Sequence, residues 1–277
     1  SSLMHKAIVL YDSLSTNNRN LDAEFRLSEI RFKALEDLDS AYDLYTAIYK
    51  TTRDRDLRLR AILRIVDVNL AKGTLNSGLD IINDELESDL WIDDEKIKLE
   101  VKQNQILFYQ NEIETVFNNL DSISKRYSVQ ENDYNDIIEV MRVLILLKND
   151  SEISKKYTEA QLKIHQNKRT EAINILDSTG EKCENELLRN LITYQTANLL
   201  VLQNRPEEAL MKLESISGDD IYNELSQILI AEIYDYILKD SQQATIYYMS
   251  ILEHFKRSIH YESVRFRLEK IYLDSTL

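Results

Sequence analysis

Glycine and proline are nearly missing from this chain, with four glycines and one proline among 277 residues. A sheet-rich fold needs those residues for its turns, so their scarcity leaves helix as the default. The single cysteine, Cys183, cannot close an internal disulfide, and no Cys/His spacing matches a zinc site. Long apolar runs are also missing: the strongest, VLILL at 143–147, falls far short of the roughly 18 residues a membrane span needs. Basic residues are outnumbered, 34 Lys and Arg against 48 Asp and Glu, which gives a formal charge of -14. A nucleic-acid site needs a dense basic face to displace counterions, so nucleic acid is not an expected partner. The cluster Arg53, Arg55, Arg58, Arg60 and Arg64 is interrupted by Asp54 and Asp56 and reads as a solvated helix face. There is no Gly-rich phosphate loop, G-x-S-x-G, H-E-x-x-H or paired Cys motif. Glu181 and Glu184 beside Cys183 would raise its thiol pKa, which disfavours a nucleophile. No enzyme activity and no cofactor or metal are expected.

What is present is a period. Small residues pair across short polar connections as Ser28 with Ala41, Val66 with Gly78, Ala160 with Ala172, Ala197 with Ala209, and Ala231 with Ala244. Each pair fits a helix, a tight turn, and an antiparallel second helix that approaches at close range. The connections EDLDS, KGTLNS, QNKRTE, QNRPEE and KDSQQ are polar and short, as antiparallel neighbours require. Second-helix positions 41, 78 and 116 recur at nearly constant intervals, as do 172, 209 and 244, but the interval from 116 to 172 is longer by about one helix. The excess is DYNDIIEVMRVLILLK at 133–148, apolar around much of its circumference and therefore expected to be buried. The predicted organisation is a first subarray over 1–130, an extra helix over 131–149, and a second subarray over 150–277. Residues 4–14 have the pattern of a second helix without its first, as expected inside a longer array. Residues 260–273 read as a helix that caps the last repeat. Acid-rich residues 83–100 read as a helix end, Trp91, and a helix start favoured by its dipole.

These pairs, together with IAEIY at 230–234 followed by ATIYYMSI at 244–251, TANLLVLQNRPEEALMKLESI at 196–216, and EFRLSEIRFKALEDLDSAYDLYTAI at 24–48, resemble the tetratricopeptide repeat (TPR) family. That resemblance implies an all-α, right-handed superhelix of antiparallel helix pairs, here with the extra central helix and the C-terminal cap. It also implies a non-catalytic scaffold whose first helices line a concave groove for a peptide or protein segment. ILEHFKRSIHYESVRFRLEKIY at 251–272 is similar to repeat endings in bacterial envelope proteins of the outer-membrane-assembly lipoprotein kind. It favours the periplasm or cell envelope over the cytoplasm. Two alternative readings follow: a structural segment of a larger envelope assembly, or a regulatory or sensor array of a multidomain protein.

Carried onto this sequence, the family's groove positions flank each first-helix small residue. Phe25, Leu63, Tyr157 and Tyr194 form one apolar row, and Phe32, Leu70 and Phe108 another. Between them lie Glu29, Asp67, Gln105, Gln161, Asn198 and Glu232. The acids in that middle row lead to the expectation of a neutral to basic partner segment. Tyr234 and Tyr248 read instead as packing between helices.

Overall fold

The computed structural model describes residues 2–18, 20–126 and 132–275, and among them it contains helices and no strand. The expected boundary at 130/131 lies outside the described residues. Three hairpins occupy the first half: α2 (Leu21–Lys33) with α3 (Leu38–Thr51), α4 (Arg55–Lys72) with α5 (Leu75–Leu86), and α6 (Asp93–Tyr109) with α7 (Ile113–Ser124). Three more occupy the second: α9 (Ser151–His165) with α10 (Arg169–Lys182), α11 (Glu186–Leu202) with α12 (Pro206–Glu214), and α13 (Ile221–Glu232) with α14 (Ser241–His254). Single helices complete the order: α1 (Ser2–Asn18), α8 (Asn132–Leu147) and α15 (Tyr261–Ser275), which packs on α14. A π turn, Ile233–Ile237, continues α13. The architecture is a TPR-like solenoid of antiparallel helix pairs. Its contacts group into two units, residues 1–148 with 165–167, and residues 149–164 with 168–277.

The small-residue pairs are where each hairpin closes. Ser28, Ala41, Val66, Ala160, Ala172, Ala197, Ala209, Ala231 and Ala244 are all fully enclosed. At Gly78 a Cβ would stand 3.6 Å from side-chain atoms of Val66, Asn69 and Ile106, ordinary contact with no room for more. The α6–α7 hairpin closes differently. Buried Asn104 takes the small-residue position, and its Oδ1 accepts from Asn119 Nδ2 at 3.0 Å.

Each hairpin turn contains one residue in the left-handed conformation: Glu36, Gly73, Asn111, Asn167, Asn204 and Lys239. Only one is glycine. The chain tolerates so few glycines because asparagine fills half of these turns, its short polar side chain making that conformation accessible. Helix starts are fixed locally as well. Asn20, Asp37, Asp54, Asn185, Asp220 and Asp240 each accept a backbone N–H of the first turn that follows. Pro206 occupies the first turn of α12, where its missing N–H costs nothing.

The α8 expectation needs correction. Ile137, Leu144 and Leu147 are buried, but Val140 is 44% and Ile145 51% exposed. Helix α8 packs on α7, while Ile138, Met141, Val143 and Leu146 are only half-buried. Trp91 is buried, and its indole N–H donates to Glu85 at 3.0 Å, while Asp93, Asp94 and Glu95 occupy the first turn of α6.

The left-handed turns give a test. Lys239 holds φ +58°, a conformation that costs a side-chain-bearing residue about 1–2 kcal/mol, whereas Gly73 at φ +80° is suited to it. Lys239→Gly is expected to stabilise its unit by about 0.5–1 kcal/mol, and Gly73→Ala to destabilise its own by about 1 kcal/mol or more. Urea titration reads both. Trp91, the one tryptophan, reports the first unit, and thiol reactivity of buried Cys183, the one cysteine, reports the second.

Candidate functional site

Polar residues on the first helices of the first unit form a continuous ladder. Glu29 on α2 accepts from Tyr45 Oη of α3 at 2.6 Å, Arg64 Nε of α4 at 2.7 Å, and Lys33 Nζ at 2.5 Å. Arg64 also donates through one terminal nitrogen to Asp67 at 2.7 Å. Lys102 of α6 donates to Asp67 and to Gln105, both at 2.7 Å, and Gln105 Nε2 donates to Tyr109 Oη at 3.2 Å. Burial alone would raise the Glu29 carboxyl. Hydrogen bonds from Lys33 and Tyr45 and the charge of Arg64 outweigh it and hold the group below the usual carboxylate range. Burial, with Glu29 as acceptor, pushes the Tyr45 phenol well above its ordinary value, so it stays a donor.

The second unit repeats this acid, tyrosine and arginine arrangement near its C-terminal end. Arg267 of α15 donates through Nε and a terminal nitrogen to both oxygens of Asp235, at 2.6 Å each, and Tyr248 Oη of α14 donates to the same carboxylate at 3.2 Å. Asp235 lies in the π turn, where Leu238 N–H reaches back to Ile233 O at 2.9 Å. The wider turn carries Asp235 round to the side that faces α14 and α15. Elsewhere in this unit, Gln161 Nε2 donates to Gln195 Oε1 at 2.9 Å, and Gln195 Nε2 donates to Tyr157 Oη at 2.9 Å. Asn198 turns its amide back on its own helix, donating to Tyr194 O, and the Tyr194 ring lies 6.0 Å from that of Tyr222.

The expected groove residues therefore divide. Phe25, Leu70 and Tyr157 are turned into the core; Phe25 meets the Tyr45 ring edge-on at 5.4 Å and lies beneath Arg60. They correct the expectation of continuous apolar rows, because all three are buried: Phe25 lies against Tyr45 of its own hairpin's second helix, and the Tyr157 hydroxyl meets Gln195 of the next first helix. Asp67 is buried within the ladder, Glu29 and Gln105 are half-buried in it, and the ladder brings all three together. Phe32, Leu63 and Phe108 are half-buried beside it. In the second unit Gln161, Tyr194 and Asn198 are half-buried and Glu232 is exposed.

Sequence reasoning missed the cations. Lys33, Arg64 and Lys102 each follow an apolar residue, as Phe32–Lys33, Leu63–Arg64 and Val101–Lys102, on three successive first helices. That doublet was the available signal. The arginine cluster also differs from a purely solvated face, since Arg55 pairs with Glu95 at 3.0 Å and Arg58 lies 4.3 Å over the Tyr49 ring. Cys183 is buried, and burial pushes its thiol up.

No family model and no curated protein matches the chain. Among solved structures, a tetratricopeptide repeat protein from Parabacteroides merdae is similar, at 11% identity over 92% of this chain and 100% of that one, with a TM-score of 0.38. The TPR-like description of this chain rests on its own hairpins and their enclosed small residues. No helix among the described residues is long and apolar enough to cross a membrane.

The Asp235–Arg267 pair gives a stability test. The Arg267 hydrogen bonds hold the Asp235 carboxyl below its ordinary value. Its stabilising contribution is full above the unfolded value, about pH 3.9, and is lost as the pH falls through the lower folded value. Below about pH 4 the second unit should therefore lose stability more steeply in the parent chain than in Asp235→Asn. At neutral pH Arg267→Met should cost about 2–3 kcal/mol, reduced from the fully buried range because Arg267 is 28% exposed. Urea midpoints across pH, followed by Cys183 reactivity, check both.

Proposed function

We propose that this chain is a non-catalytic scaffold that binds a segment of another protein along the first-helix face of its repeats. In this reading α8 is a spacer between subarrays over 1–130 and 150–277. The observation that carries it is the face formed by α2, α4 and α6. Phe32, Leu63 and Phe108 remain half open there, and Val101 is 40% exposed, beside a ladder whose carboxylates already have their donors. A preformed strip of this kind can take up apolar side chains of an incoming segment without first paying to order itself. Second helices are less suited to this role, since their inward faces close the hairpins.

The test is a paired substitution. Phe32→Ala with Phe108→Ala should remove most partner capture in pull-downs from the native organism, with helix content and Trp91 emission unchanged. A loss of about tenfold or more in affinity is expected for two truncated aromatic anchors. Undiminished capture of every partner by the double variant would sink the assignment of the face.

A further inference from the structure

We infer that the α2–α4–α6 face selects an acidic segment, with Asp or Glu side chains interspersed among apolar ones; this rests on the scaffold reading above. The Glu29 and Asp67 side chains in the middle row are only 18% and 8% exposed. Each is paired with cations whose side chains are more exposed than its own: Glu29 with Lys33 at 55% and Arg64 at 33%, and Asp67 with Arg64 and with Lys102 at 18%. Three cations answer two anions, so the strip has a local charge of +1 although the chain as a whole is at -14.

Hydrogen-bond capacity has the same sign. Both oxygens of each carboxylate are occupied by donors of the ladder. Among the described residues Arg64 engages Nε and one terminal nitrogen and Lys33 engages Glu29, so the second terminal nitrogen of Arg64 and further N–H bonds of Lys33 face the ligand side. A basic segment would meet cations first and find no open acceptor. A carboxylate placed among Phe32, Leu63 and Val101 would meet donors already held in position by Glu29 and Asp67. Repulsion from the remote acids is screened at physiological ionic strength within about 8 Å, so the local strip decides.

A random-peptide display library selected on the full chain tests this. Enriched peptides should combine Asp or Glu with apolar residues. In fluorescence anisotropy the best of them should bind Lys33→Glu roughly tenfold or more weakly than the parent, and Lys33→Gln several-fold more weakly, while Lys33→Arg retains binding. Lys33→Gln cannot repel Glu29, and unchanged circular dichroism and Trp91 emission certify the fold of each variant. Enrichment of basic or neutral peptides, or acidic ones indifferent to all Lys33 variants, overturns the inference. If those peptides still depend on Phe32 and Phe108, the scaffold reading survives it. A library that yields no binder overturns both. A DNA duplex that binds with the same Lys33 dependence, and displaces the acidic peptides, would replace peptide selection by general polyanion binding.

Discussion

The interaction on which the stacking depends is a polar tie that joins a residue to one about a repeat further on. Glu29 to Arg64, Asp67 to Lys102, Asp39 to Lys72 and Asn76 to Gln110 do this in the first unit. Thr170 to Gln203, Asp177 to Lys212, Glu224 to Ser258 and Asp235 to Arg267 do it in the second. Apolar packing tolerates a helix sliding by part of a turn with modest loss, whereas a charged or amide pair is satisfied in one register only. Most of these ties are partly exposed and individually worth about 0.2–1 kcal/mol, so they contribute more to specificity of stacking than to total stability. Asp67 and Asp235, whose carboxylates are buried, are the exceptions, since removing Lys102 or Arg267 would leave charge poorly paired in a poorly solvated place.

The architecture was legible in the sequence because it is encoded by what must be small. Every helix pair that was found from Ser28, Val66 and the alanines closes at those residues, and steric exclusion leaves a mark that one sequence can show. Asn104 escaped notice because its hairpin closes through an amide bond to Asn119, which no size rule detects. The turns were found from polarity, but their left-handed residues were not, since glutamate and lysine occupy two of those positions against ordinary preference.

The candidate face was less legible. The helical count gave Leu70 and Tyr157 the same standing as Phe32 and Phe108, yet the first two are buried and the last two half-buried, a difference of orientation that no count of residues supplies. The π turn adds to this at Asp235, which lies against Tyr248 and Arg267 in a turn that no helical periodicity marks in the sequence. The ion pairs were hidden for another reason: an acid and a base one repeat apart are remote in sequence, and each looks like an independent surface group.

The sign of the first unit's inner strip follows from side-chain length. Where Asp or Glu shares a row with Lys or Arg from the next first helix, the short carboxylate is held near the helix surface. The longer cation lays its methylenes along apolar neighbours and brings its charged head over the carboxylate toward water. The ladder on α2, α4 and α6 has this layering, with Asp67 beneath Arg64 and Lys102, and Glu29 beneath Lys33 and Arg64. A row that reads as acidic in the sequence thereby carries cations more exposed than the acids they pair with, and the acids fix where those cations stand.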